Sequence, residues 1–194
     1  MNGSVARSLL RNNMPFLPVH NPCSGKHAGM LALCQLKGWP VKGYYQADHP
    51  VQQAILKAIS ETANYRQADI KLGIDGCGVP VHFLPIFNMA IAFSSLSQPP
   101  ETAGASRKRA LQKICDAMTS NPFFVAGTNC LDTVLMEITG GRLVAKLGSE
   151  SVYCVSLKNN GMALCLKIED GGYRALAPAV IQALVKLGWL TEEE

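Results

Sequence analysis

Two apolar runs near the C-terminal end, residues 151–157 and 162–168, are separated by Lys158-Asn159-Asn160-Gly161. Asn-Gly between apolar stretches is a strong hairpin signal, because both residues tolerate positive φ at low cost. A hairpin makes its two strands antiparallel, so this part of the chain cannot belong to a purely parallel sheet. A third candidate strand, residues 142–146, lies just upstream. The C-terminal part therefore reads as an antiparallel sheet closed by a helix over residues 173–187.

Ahead of it the periodicity is mostly helical. Residues 5–11 read as a helix, and Phe16-Leu17-Pro18-Val19 as an extended lead-in. Residues 24–37 read as a helix stopped by Gly38, with Pro40 beyond. Asp48 reads as the N-cap of a helix that has Pro50 in its first turn and runs to about residue 64. Residues 70–74 and 81–84 are short strands around a Gly-rich turn. Residues 88–96 read as a buried helix and 97–106 as a loop. Residues 107–118 form an amphipathic helix with Ala110, Leu111, Ile114, Cys115 and Met118 on one face, and 132–138 a short helix. Helices around an antiparallel sheet give an α/β fold of the α+β kind, an antiparallel sheet flanked by helices, in one domain over residues 1–194.

Composition narrows the classes of function. The net charge is +4, and the one tight basic run, Arg107-Lys108-Arg109, opens a helix without interleaved aromatics. That reads as a solvated face rather than a nucleic-acid surface. No apolar segment is long enough to span a bilayer. The seven cysteines are odd in number and follow no short disulfide framework. Cys34, Cys115, Cys154 and Cys165 lie in apolar runs and read as small buried hydrophobes, which suits a reducing, cytoplasmic compartment. Charged residues are only 16 % of the chain. Either a partner subunit, such as a second copy, or missing sequence, such as a separate N-terminal fragment, covers part of the surface, or the chain is an ordinary domain rich in small residues.

Two segments carry the candidate chemistry. In Cys23-Ser24-Gly25-Lys26-His27, a helix starting at Ser24 puts Cys23, Lys26 and His27 on adjacent turns. Its N-terminus favours a thiolate at Cys23. Gly25 and Gly29 each weaken such a helix by about 1 kcal/mol relative to alanine, which points to close approach of a backbone or a ligand. In Asp75-Gly76-Cys77-Gly78-Val79-Pro80, the glycines let a carboxylate and a thiol bend into one cleft at a strand end. Taken together, Cys23 and Cys77 are candidate thiolate ligands. Spacing alone proposes His27 as the third, while Lys26 would first have to lose a proton. Lys146, in Lys146-Leu147-Gly148, could bind a substrate carboxylate or stabilise negative charge as an amide is attacked.

These two motifs, in this order and spacing, resemble the asparaginase II family, the rhizobial-type L-asparaginases. Supporting likenesses are His49-Pro50-Val51-Gln52, Val125-Ala126-Gly127, the segment from Arg142 to Gly148, and the segment from Leu166 to Gly171. The resemblance implies a sandwich fold similar to serine β-lactamases and penicillin-binding proteins. It implies hydrolysis of a small amino-acid amide, L-asparagine, to L-aspartate and ammonia. It also implies zinc bound by Cys23, Lys26 and Cys77. Asp75 then contacts the substrate amine and, with Lys146 and Lys26, serves catalysis, while Asp75, Lys146 and His27 surround the substrate. Leu147 replaces the threonine usual after the strand lysine, and Pro22 replaces a common asparagine.

The family's nucleophile belongs to a Ser-x-x-Lys segment, and a Ser-His-Ser-Gly segment also precedes the Cys-Ser-Gly-Lys motif. Neither pattern occurs in these 194 residues. The resemblance therefore implies an N-terminally truncated portion that carries the metal and substrate half of an amidase site. A catalytically inactive metal- or ligand-binding remnant is the competing expectation.

Overall fold

The computed structural model describes residues 3–191 and residue 193. Among them are eight α-helices and five strands, the strands forming two antiparallel sheets. The chain divides into two compact units, and the division falls inside one helix. The first unit runs to Ala58 and includes Lys71–Phe83; the second holds Ile59–Ile70 and everything from Leu84 onward.

In the first unit, helix α1 (Gly3–Arg11) leads to helix α2 (Ser24–Lys37). Residues 16–19 are not simply extended, because Pro18–His20 form a 3-10 turn. Gly38 ends α2 in the left-handed region at φ 67, and Trp39 N–H reaches back to Cys34 O at 2.9 Å. A side chain at that backbone angle would be strained, so glycine is the natural stop. Helix α3 (Pro50–Ala63) starts one residue later than the Asp48 cap predicts. His49 occupies the capping position: its Nδ1 accepts from Val51 N–H, and Nε2 faces Pro40 O at 2.8 Å. One buried imidazole thus meets two backbone groups, a task Asp48 could not perform from the preceding turn.

Strands β1 (Lys71–Ile74) and β2 (Pro80–Phe83) pair from Lys71↔Phe83 to Ile74↔Pro80. The core of this unit is Met30, Cys34, Val51 and Val79, with Leu33, Trp39, Tyr44, Ile55 and Cys77 packed against it. Val79 and Cys77 belong to the turn after β1, so that turn is anchored in the same core as α2.

In the second unit, strands β3 (Leu143–Gly148), β4 (Val152–Leu157) and β5 (Ala163–Lys167) form a sheet in the order β3-β4-β5. The hairpin is present, but its turn differs from the Asn160-Gly161 expectation. Positive φ falls on Asn159 and Gly161, and Leu157 N–H closes the loop on Met162 O at 3.0 Å. Ser94 donates to Gly161 O and Asn159 N–H to Ser97 O, so tertiary contacts select this longer loop. β3 extends two residues beyond the expected 142–146, which puts Lys146 inside the strand.

Side chains alternate across this sheet as the pleat requires. Leu143, Ala145, Tyr153 and Val155 face a core completed by Leu135 and Met136 of helix α7 (Leu131–Ile138) and by Leu176, Val180 and Leu184 of helix α8 (Leu176–Lys186). The opposite face, with Lys146, Cys154 and Cys165 in one cross-strand row, is packed by helix α4 (Ile86–Ser97). α4 is only one-sidedly buried: Ser95 and Ser97 are enclosed, whereas Phe87 is 75 % exposed. Helix α5 (Ala105–Ser120) turns Cys115 inward but leaves Ala110 and Ile114 in solvent, so the expected apolar face is half realised. A short helix α6 (Pro122–Ala126) was hidden by its length, too short for any period to show.

Asp132, in the first turn of α7, is fully buried and accepts a hydrogen bond from Leu147 N–H of β3. Its other oxygen and the nearby Tyr153 hydroxyl have no protein partner. Burial, then the Asp132 charge, raise the Tyr153 phenol well beyond its ordinary range. Asp132→Ala should destabilise the protein by about 1–3 kcal/mol in urea unfolding, since it strands a buried N–H. Asp132→Asn, which keeps an acceptor, should cost clearly less; equal losses would discount the hydrogen bond. Leu184→Ala in α8 should cost about 2–5 kcal/mol through the cavity it leaves.

Candidate functional site

The first motif is built by a turn. Ser24 N–H donates to Asn21 O at 2.9 Å, and Cys23 has φ −87 and ψ 0. These are the angles of the third residue of a type I turn, whose second position favours proline. Pro22 is therefore suited to this turn rather than disruptive. Asn21 Oδ1 accepts from Cys23 N–H at 2.8 Å, and the Ser24 hydroxyl donates to Val19 O at 3.1 Å. Cys23 becomes the residue that precedes α2, with Lys26 and His27 in the first turns.

The second motif is a turn as well. Asp75 N–H donates to Val79 O and Gly78 N–H to Asp75 O, both at 2.8 Å. Gly78 has φ 88, an angle that glycine adopts without strain. Gly76 N–H donates to Asp75 Oδ1 at 2.7 Å. That fixes the carboxylate so that Oδ2 faces α2. There it meets Lys26 Nζ at 2.7 Å and the Cys77 thiol at 3.4 Å.

The ligand atoms of Cys23, Asp75 and Cys77 all lie within 4.8 Å of one another. Zinc bonds of about 2.3 Å to sulfur and about 2.0–2.2 Å to oxygen separate neighbouring ligand atoms by roughly 3.5–4 Å. Two thiols and a carboxylate at this spacing therefore fit a zinc ion in both chemistry and size. Lys26 is the other adjoining donor. His27, which spacing alone would choose, is outside that group. Its Nδ1 shares a 2.6 Å hydrogen bond with the Tyr44 hydroxyl, and the two rings meet edge-on at 5.7 Å. Tyr44 is fixed in turn by buried Gln52, which donates to Tyr44 O at 2.8 Å. Nothing in the sequence marks Tyr44, because its link to His27 depends on the path of the loop between α2 and α3.

The charges interlock. The Lys26 ammonium is the main reason the Asp75 carboxyl lies below its ordinary range. Burial works against the Lys26 charge, but hydrogen bonds to Asp75 and Cys77 outweigh it and raise its pKa. The pair is 40 % and 29 % exposed, so it contributes at most about 1 kcal/mol to stability. Cys23 departs from the thiolate expectation. Burial and its hydrogen bond with Cys77 raise its pKa, and Lys26 only partly offsets them. Desolvation is the largest of these effects. A bound cation favours the thiolate instead.

Gly25 and Gly29 also depart from expectation in one respect. A methyl group built on either meets nothing within 4 Å beyond its chain neighbours and the adjacent turns of α2 itself. No other segment presses on them. Lys146 belongs to the second unit. It is exposed in the middle of β3, directly opposite Cys154, and its Nζ donates to Leu147 O at 2.6 Å. Among the described residues no helix is long and apolar enough to cross a membrane.

Comparison with curated proteins gives no match. The family model described as L-asparaginase II matches residues 1–194, the whole chain. On that match, the protein belongs to the L-asparaginase II family, whose type of activity is amide hydrolysis of the asparaginase kind.

Proposed function

We propose that this chain serves an L-asparaginase-type amidohydrolase, releasing ammonia from L-asparagine, and that it supplies the metal and substrate half of the site. The observation that supports this reading best is the meeting of Cys23, Lys26, Asp75 and Cys77 at the junction of α2 and the β1–β2 turn. Cys23 and Cys77 would hold zinc with Lys26 as third ligand, once the lysine has given up its proton. When bound, zinc supplies a fixed positive charge and Lewis acidity beside the substrate. Asp75, whose Oδ1 is held by Gly76 N–H, is the acceptor for the ammonium group of an amino-acid amide. Lys146 offers a cation for the α-carboxylate or for charge that develops on the amide oxygen. The Tyr44 hydroxyl fixes the His27 ring, which lines the substrate side.

In the same reading the fold is of the β-lactamase and penicillin-binding-protein kind. The helices on both faces of the β3-β4-β5 sheet support this. The thiols suit a cytoplasmic setting. The exposed side chains of Leu10, Met14, Phe16, Leu17 and Val19 support a covering partner chain.

A second reading rests on one specific observation. No Ser-x-x-Lys occurs in the 194 residues, so they lack the paired nucleophile and base of acyl-enzyme chemistry. A metal- or ligand-binding remnant without turnover would carry the same cluster. Ammonia release from L-asparagine by this chain, with zinc added and with chelator, separates the two. Turnover supports the first. Zinc and aspartate binding without ammonia supports the second.

Two further outcomes test the residues. Cys23→Ser and Cys77→Ser should each lose zinc, measured by elemental analysis after desalting; full zinc content in both would end the metal assignment. Lys26→Met should lose zinc while His27→Ala keeps it, and the reverse would make His27 the third ligand. If the chain turns over, Asp75→Asn should lower kcat/KM for L-asparagine about 100-fold, roughly the 2–3 kcal/mol of a charge-assisted contact. An unchanged value would remove Asp75 from the substrate contacts.

A further inference from the structure

The second unit contains a group of three sulfur atoms that amide hydrolysis does not use. Cys154 of β4 and Cys165 of β5 are directly opposite in the sheet register, and their sulfurs are 3.4 Å apart. The Met89 thioether of α4 lies 4.0 Å from the Cys165 sulfur. α4 packs over both strands on this face. Three elements therefore each contribute one sulfur to a run of contacts from Cys154 through Cys165 to Met89. All three donors are soft. Thiolate and thioether sulfur select Cu(I) over hard cations such as Mg²⁺ or Ca²⁺. Zinc ordinarily takes four ligands from sulfur, imidazole and carboxylate. Among the described residues this pair is not grouped with any histidine, carboxylate or third cysteine at ligand spacing.

We infer that Cys154, Cys165 and Met89 form a binding site for a soft monovalent metal ion, Cu(I), between α4 and the β4–β5 hairpin. With metal–sulfur bonds of about 2.3 Å, three-coordinate sulfurs lie roughly 4 Å apart, so the pair opens by about half an ångström to accept the ion. Binding forms metal–sulfur bonds, releases the thiol protons to solvent and changes no oxidation state. A disulfide is the rival use of the pair. It would need the sulfurs to close to about 2.05 Å. It would join strands that already pair and would leave Met89 without a part. The metal instead ties the helix to the sheet.

Anaerobic titration of the full chain with Cu(I) against a chromophoric chelator tests this. The Cys23→Ser/Cys77→Ser background removes the other thiol cluster. In that background one equivalent of Cu(I) should be retained, with a sulfur-only shell by X-ray absorption. Adding Cys165→Ser should remove that equivalent. Adding Met89→Leu, which conserves volume, should keep the ion but reduce its sulfur count from three to two. Circular dichroism checks folding, and Cys165→Ala replaces any Cys165→Ser chain that fails that check. The inference is overturned if the background takes up no Cu(I), if losing the Cys165 thiol leaves uptake unchanged, or if the sulfur count ignores Met89. Formation of a Cys154–Cys165 disulfide in place of Cu(I) uptake would also overturn it.

Discussion

Asp75 has one oxygen tied to its own turn and the other committed to α2. Gly76 N–H holds Oδ1, which orients Oδ2 toward Lys26 and Cys77. The candidate chemistry of the first unit depends on this division of labour. Without the backbone bond the carboxylate could rotate away. Without Lys26 the partly buried charge near two thiols would be poorly balanced. The ion pair adds little to global stability at its exposure. Its value lies in orientation: it brings the start of a helix and the turn after a strand to one point, and Val79 and Cys77 seat that turn in the same core as Met30 and Cys34.

The legible parts of this architecture were those with local signals. The helix from Ser24 to Lys37 has a glycine stop that obeys backbone sterics, and the β1–β2 and β4–β5 pairs have turn residues between apolar runs. Cys23, Asp75 and Cys77 could be singled out because unusual residue types sit beside glycines. What stayed hidden depends on distant partners. His27 follows Cys23 at ligand spacing, but Tyr44 from a loop claims its ring. Asp48 has the right chemistry for a cap, but the buried His49 satisfies two backbone groups at once. Asn160-Gly161 has the right turn chemistry, but Ser94 and Ser97 of α4 favour a loop with its positive angles at Asn159 and Gly161. In each case a tertiary hydrogen bond overrides a local preference.

The thiols divide in a similar way. Burial alone explains Cys34 and Cys115, which act as small apolar residues. Cys23 and Cys77 adjoin a carboxylate and an ammonium, and so read as members of a polar centre. Cys154 and Cys165 face each other across a ladder beside a thioether. The same residue type has three uses here, and its neighbours decide which applies.

The buried bond between Asp132 and Leu147 N–H has a consequence for strand indexing. Side chains alternate with a period of two, so a slip of one residue in β3 would move Lys146 to the face of Leu143 and Ala145 and send Leu147 out. Burial of Leu143 and Ala145 already opposes that slip, and the Asp132 bond adds a directional constraint to it. A carboxylate that meets one particular amide does not tolerate the shift. Asp132 thus fixes which way the strand lysine points without touching it. Sequence drift in α7 would alter that orientation as surely as drift in β3.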